Sequence, residues 1–210
     1  FLGQPSEFTI LALLPSYLER EGSSLVYMAE RLIKDSKKKF SGFYLYNYSE
    51  LHSTLCDLRA TSQKSILLGV SFALLDFAER FPVYFPELKV IETGGMKGRG
   101  LEITREVLHS KLKSGFGVEK VWSEYGMAEL MSQAWSQGDG LFRTPPWMKI
   151  QIRDLSNPFR RVKDGDTGGN NIIDLSNINS CSFIEKEEMG MKEAGKLYII
   201  FRRIQNSELR

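Results

Sequence analysis

Over the first two-thirds of the chain, short unbroken apolar runs are separated by longer stretches with helical spacing, the pattern of parallel strands joined by helical crossovers. Residues 8–14 are apolar up to Pro15, as in a strand buried on both faces. From Ser24, residues Leu25, Ala29, Leu32 and Ile33 share one helical face, and Ser23 or Ser24 can cap it. Lys37, Lys38 and Lys39 mark a solvated loop before a second strand over residues 43–46. Ser49 can cap the next helix, which carries Leu51, Leu55 and Leu58 on one stripe. A third strand covers residues 65–70, and a helix bearing Leu74, Leu75, Ala78 and Phe81 ends before Pro82. The fourth strand spans 88–92 and runs into a glycine-rich turn. A helix over about 101–113 then turns Ile103, Val107 and Leu108 inward and stops at Gly115, and residues 118–123 form the fifth strand.

Parallel strands need long crossovers, and these are almost always right-handed. The expected fold class is therefore α/β, a parallel sheet with flanking helices in three layers, followed by a smaller β-rich subdomain. Beyond Arg143 the chain breaks at Pro145-Pro146, and Met148, Ile150 and Ile152 alternate with Lys149, Gln151 and Arg153, a strand with one wet face. Residues 164–169, Asp-Gly-Asp-Thr-Gly-Gly, form a strong turn signal, with short apolar runs beyond it at 172–173 and 197–201. The domain plan is 1–142 for the α/β part and 143–210 for the β-rich part.

Composition narrows the function. A chain of 210 residues that is 42% hydrophobic can fill a core, and a net charge of +2 gives no electrostatic case for nucleic acid or an anionic membrane as partner. No apolar run reaches the roughly 20 residues that span a bilayer, and the opening residues lack the regions of a signal peptide. The chain reads as soluble and cytoplasmic. Cys56 and Cys181 lie far apart, which argues against a disulfide scaffold and a zinc site. The chain has no initiator Met, and both ends read as internal to a longer protein.

In a parallel sheet, ligands bind at the carboxyl ends of strands. After the fourth strand comes Thr93-Gly94-Gly95-Met96-Lys97-Gly98-Arg99-Gly100, whose glycines and cations could bring backbone N–H groups to a phosphate. Its glycine order fits neither the dinucleotide fingerprint nor a Walker loop, so a flexible turn explains it equally well. After the fifth strand, residues 123–130 place Tyr125, Gly126, Glu124 and Glu129 together, suited to stacking a flat base and holding a hard cation. The competing structural explanation is that Tyr125 packs in the core and the two glutamates favour the start of a following helix.

Tyr125-Gly126-Met127-Ala128-Glu129, with Gly94-Gly95 upstream, resembles the Tyr-Gly-x-Thr-Glu signature of the adenylate-forming ligase superfamily. Residues 92–98, 123–130 and Pro145-Pro146-Trp147-Met148 are most similar to LuxE-type acyl-protein synthetases and their phenylacetate-CoA-ligase relatives, and the similarity runs over nearly the whole chain. The resemblance implies an enzyme that uses ATP and Mg²⁺ to activate a carboxylic acid, with a fatty acid expected, as acyl-AMP for transfer to a thiol of CoA or of a protein cysteine. Tyr125 would stack on adenine, Gly126 would allow close approach, Glu124 would accept from the base's amino group, and Gly94 and Gly95 would wall the base. Glu129 would hold Mg²⁺ as the catalytic carboxylate. Tyr17, Trp122 and Met127 would line the acyl pocket. The family's Thr-Gly-Asp aligns with Lys186-Glu187-Glu188 and its hinge with residues 202–205, making Glu188 and Arg203 the ribose and phosphate contacts.

The departures are as specific as the matches. Ala128 replaces the signature's Thr, a lost donor that costs on the order of 1–3 kcal/mol. Glu188 is longer than Asp, and Gln205 lacks the hinge charge. The family's phosphate loop would precede Phe8 and its lysine-bearing domain would follow Arg210, so this stretch alone is expected to be inactive. These departures support a second reading, a degenerate relative that binds an acyl group or nucleotide, or serves as a scaffold, without catalysis. Cys181 is expected to be a buried small hydrophobe, and His52 and His109 surface residues without a nucleophile partner.

Overall fold

Residues 2–14, 23–94, 103–157 and 159–203 are described by the computed structural model, in two units, Phe1–Ser123 and Glu124–Arg210, taken here in turn. In the first unit β1 (Thr9–Leu13) is buried at every position. It pairs in parallel with β2 (Gly42–Phe43) on one side and with β3 (Ser65–Val70) on the other, and β3 pairs in parallel with β4 (Lys89–Thr93). β5 (Val121–Tyr125) follows β4, giving the order β2-β1-β3-β4-β5. The chain moves one way across the sheet from β1 to β2 and the other way thereafter. Right-handed crossovers therefore put α1 (Ser24–Ser36) on one face and α2 (Tyr48–Ala60), α3 (Ser71–Arg80) and α4 (Arg105–Phe116) on the opposite one. The packing agrees: α1 lies against β1, Tyr48 of α2 meets Phe77 of α3 edge-on at 5.5 Å, and Phe77 stacks on Phe116 of α4 at 5.9 Å. This is the three-layer α/β arrangement that the apolar runs predict.

The differences are local. β2 has two residues rather than the expected four, because an edge strand needs only one ladder and the chain turns away after Tyr44 N–H donates to Ala12 O. α2 is capped by Asn47, not Ser49: the Asn47 carbonyl oxygen accepts from Glu50 N–H at 3.2 Å while its amide donates to the Glu50 carboxylate at 2.6 Å. In α4 the inward stripe is Leu108, His109, Leu112 and Phe116, and Val107, expected inside, is 45% exposed. The helix runs through Gly115, where a Cβ would come within 2.6 Å of Ala78 Cβ, and ends at Gly117, whose φ of 64° closes it in the left-handed conformation.

The second unit is antiparallel, in the order β6-β7-β11-β10-β9-β8. Its strands are β6 (Ala134–Ser136), β7 (Leu141–Arg143), β8 (Met148–Arg153), β9 (Thr167–Asp174), β10 (Phe183–Glu193) and β11 (Lys196–Arg203). Met148, Ile150 and Ile152 point into its core with Tyr125, Leu130, Phe142, Ile172 and Leu197, as the alternation predicts. The glycine signal at 164–169 is part turn and part strand: Gly165 turns with a φ of 89°, but Gly168 and Gly169 lie inside β9. There a Cβ on Gly168 would come within 2.1 Å of Arg153 O. β7 joins this unit through the pairing of Phe142 with Leu197, and β5 crosses the boundary between Ser123 and Glu124. Among the described residues, no helix is long and apolar enough to cross a membrane.

Candidate functional site

The end of β5 carries the candidate chemistry into the second unit. Tyr125 is only 3% exposed, its ring edge-on to Phe142 at 6.2 Å, and its hydroxyl donates to Glu188 Oε2 at 2.7 Å. Burial, reinforced by the Glu188 charge, pushes the phenol's pKa well up, so Tyr125 stays a donor throughout the neutral range. Glu124 is buried and folds back over Gly126, where a Cβ would come within 2.3 Å of its Oε1. A side chain at position 126 would therefore displace the Glu124 carboxylate from this seat. No helix follows β5; residues 128–132 turn into β6, so neither glutamate stands at a helix start.

Glu129 sits on that turn, its side chain 56% exposed and Oε1 3.5 Å from Lys186 Nζ. Two buried side chains that the sequence reading passed over fix its backbone. The Asn177 amide donates to Glu129 O at 2.6 Å and its carbonyl oxygen accepts from Met131 N–H at 2.8 Å. Asp174, fully buried, accepts from Ser132 N–H and Ser132 Oγ at 2.8 Å each and from Ser176 N–H at 3.0 Å. Trp147 completes the staple by donating its indole N–H to Ser132 Oγ at 2.9 Å. The spacing Asp174-x-x-Asn177 ahead of a turn was the available signal, since both residue types bond to nearby backbone in such turns.

Opposite this turn, β10 departs from regular pairing. Glu185 faces Asn171 and Met189 faces Gly169, so β9 advances by two residues while β10 advances by four. The bulge consists of Lys186, Glu187 and Glu188, and it brings Glu188 to Tyr125 and Lys186 to Glu129. In backbone register Glu188 pairs with Arg203 of β11, whose side chain is outside the described residues. Met127 is half-buried against the same core.

The first unit has its own polar cluster at the carboxyl ends of β3, β4 and β5. Ser71 donates to Glu92 Oε2 at 2.9 Å and contacts Gly94 O, while His109 Nε2 lies 3.6 Å from Glu92 Oε1 and 3.3 Å from Ser123 Oγ. His109, expected at the surface, is thus buried, because α4 turns it inward beside Leu108 and Leu112. Burial lowers the pKa of Arg105 nearby, and the Glu92 charge opposes that shift. Gly94 has a φ of 65°, which favours glycine. Trp122 is half-buried, with Lys89 Nζ 5.7 Å from its ring. His52 is half-buried rather than at the surface, its ring 5.9 Å from Phe81. Cys181, expected to be buried, is exposed, its thiol 3.1 Å from Phe183 O in the turn that Asn177 organises. Tyr17, Gly95 and Gln205 lie outside the described residues.

No protein-family model matches the chain, and no curated protein sequence does either. Its fold is one found in adenylate-forming acyl-CoA ligases. The chain is similar over 95% of its length to ATP-bound MatB from Rhodopseudomonas palustris, with a TM-score of 0.65 and 15% identity, covering 41% of that protein. It is equally similar to an open conformation of 2-hydroxyisobutyryl-CoA ligase in complex with 2-HIB-AMP and CoA, with a TM-score of 0.65, 16% identity, and coverage of 95% of this chain and 49% of that one. A double mutant of o-succinylbenzoate CoA synthetase (MenE) from Bacillus subtilis, bound with its product analogue OSB-NCoA, follows at a TM-score of 0.60 and 14% identity, over 94% of this chain and 41% of that one. The chain spans less than half the length of these proteins.

Proposed function

We propose that this chain is the core of an ATP-dependent ligase that activates a carboxylic acid, a fatty acid in the first instance, as acyl-AMP for transfer to a thiol, in the manner of LuxE-type acyl-protein synthetases. The observation that carries the reading is the convergence of the Tyr125 turn and the β10 bulge, which sets the Tyr125 hydroxyl 2.7 Å from the carboxylate proposed to grip the ribose, on a fold similar to that of ATP-bound MatB. Gly126 would lie beside the base, with Glu124 accepting from its amino group, Gly94 and Gly95 next to it and Glu188 on the ribose hydroxyls, and Tyr125 would stack on the base once its ring, 3% exposed here, turned a face out of the core. Arg203 would contact the phosphates, and Tyr17, Trp122 and Met127 the acyl group. The acid's carboxylate oxygen attacks the α-phosphorus, pyrophosphate leaves, and a thiol then displaces AMP from the acyl carbon.

Mg²⁺ fits this donor set as far as one carboxylate goes. Among the described residues no group of three or more His, Cys, Asp or Glu side chains gathers to hold a metal, but Mg²⁺ is commonly bound through one or two carboxylates together with substrate phosphates. Glu129, more than half exposed, would be its protein ligand, and the ion would offset phosphate charge.

The second reading, a relative that binds nucleotide or acyl group without catalysis, is favoured by Ala128 in place of a hydroxyl. Pyrophosphate exchange into ATP, measured with the full chain and with its full-length parent over a panel of fatty and aryl acids, separates the two. Acid-dependent exchange by the parent supports the ligase. Nucleotide binding without exchange supports the second reading, and no binding of ATP by either protein sinks both.

A further inference from the structure

We propose that Arg153 is the positioning residue of the nucleotide site, a buried guanidinium that takes the place of the ladder in the β10 bulge and so fixes where the Glu188 carboxylate stands. Where β9 advances two residues against four in β10, Asn170 and Lys186 drop out of the β9–β10 register. Arg153, reaching across from β8, answers both: Nη1 lies 3.2 Å from Asn170 O, 3.0 Å from Lys186 O and 3.2 Å from Asn171 Oδ1. Nη2 lies 3.0 Å from Glu185 Oε1 at the exposed rim. One planar fork thus ties β8 and β9 to the start of the unpaired segment, and at the segment's other end Glu188 accepts from the Tyr125 hydroxyl and pairs in register with Arg203.

Two features make this an assigned seat rather than an accidental contact. The Arg153 side chain is only 7% exposed, so its charge would be costly without these acceptors. Gly169 is the β9 residue whose missing Cβ leaves the guanidinium its room: a methyl there would come within 2.3 Å of Nη1 and 2.4 Å of Cζ. A lysine brings a single ammonium with no planar fork and cannot serve acceptors on two strands in this geometry.

The functional part of this inference rests on the reading of Glu188 as the ribose contact, and the experiment separates the two. Dissociation constants for ATP and 2′,3′-dideoxy-ATP are measured for the full chain and for Arg153→Lys and Gly169→Ala, with hydrogen exchange followed at the amides of residues 186–189. The expected result is a loss of about 10-fold in ATP affinity for both variants, the size of one charge-assisted hydrogen bond. Affinity for the dideoxy nucleotide should change less than about 2-fold, so that the preference for ribose disappears, and exchange should rise in the bulge. Gly169→Ala keeps the charge and displaces only the fork, so it answers the question even if Arg153→Lys fails to fold. Equal losses for both nucleotides, or unchanged ATP affinity in both variants, overturn the positioning role. If the unaltered chain binds neither nucleotide or does not prefer ribose, the reading of Glu188 fails. Arg153 as the bulge's anchor then stands or falls on whether exchange at residues 186–189 rises in the variants.

Discussion

Asp174→Asn tests the staple that holds the Glu129 turn, because it changes the chemistry of one buried side chain while keeping its shape. One carboxylate oxygen accepts from Ser132 N–H, and the other accepts from Ser132 Oγ and Ser176 N–H. Only a carboxylate offers acceptors on both sides. An asparagine must aim its NH₂ at one of the two backbone N–H groups whichever way it is turned, leaving a buried donor facing a donor. An unsatisfied buried donor costs about 1–3 kcal/mol, and the surviving bonds lose the benefit of a charged acceptor, for a total of about 2–4 kcal/mol. In a chain of this size that corresponds to a fall of roughly 5–15 °C in Tm. Calorimetry and urea denaturation of the full chain measure it, the latter as a drop in midpoint at constant slope. A loss below about 0.5 kcal/mol, the size of an ordinary surface substitution, would refute the claim that this carboxylate carries the turn.

Gly115→Ala sets a helix-propensity gain of up to about 1 kcal/mol against a clash with Ala78 Cβ at 2.6 Å, and overpacking of about 1–3 kcal/mol should win, lowering Tm. Tyr125→Phe keeps the ring in its core seat and removes the donor to Glu188, so stability should fall by about 1 kcal/mol; a loss of 3 kcal/mol or more would mean that the ring itself had moved. At alkaline pH, burial, with the Asp76 charge second, pushes the Tyr48 phenol up from 10.0 to about 12. The folded state holds this proton more tightly than the unfolded chain, so the stability it contributes is intact below pH 10 and lost as pH rises to about 12. Tyr48→Phe should therefore flatten the fall of Tm between pH 10 and 12, and an unchanged slope would count against the shift.

The α/β part was legible because buried parallel strands are written as unbroken apolar runs: residues 65–70 appear in the structure as β3 without a change of boundary. β10 was not, since its sequence Phe-Ile-Glu-Lys-Glu-Glu-Met-Gly-Met-Lys-Glu has no clean alternation, and a strand whose bulge inserts two extra residues need not keep one. The glycines at 168 and 169 misled for a related reason. They are small to admit Arg153 rather than to turn the chain, and no local pattern distinguishes those uses. His109 and Val107 exchanged places because neighbouring helical positions differ by about 100°, and a stripe set by Leu108, Leu112 and Phe116 draws in 109 rather than 107. In the candidate site, motif resemblance singled out Tyr125 and Glu188, which the structure brings within hydrogen-bond distance, and Glu129. Asp174 and Asn177 left only the local signal of turn-forming residue types, while their bonds to Ser132 and Glu129, 42 and 48 residues away, and that of Arg153 to Asn170 O, 17 away, lie beyond what spacing can foresee.

Lys186 against Glu129 bears most directly on whether the site can work. The ammonium stands 3.5 Å from the carboxylate that a divalent cation would need, which at first sight argues for a blocked, non-catalytic relative. Its strength decides otherwise. The Glu129 side chain is 56% exposed, and a pair that open to water contributes at most about 1 kcal/mol, further reduced by salt. In the proposed ligase, a cation arriving with a polyphosphate would bring charge-assisted contacts stronger than such a pair, and Lys186, on a flexible four-carbon stem, could turn its own charge towards the same phosphates. The pair meanwhile keeps the turn from carrying an uncompensated carboxylate. For the proposed ligase the more serious obstacle would be Ala128, which has no hydroxyl where the resembled signature carries a threonine.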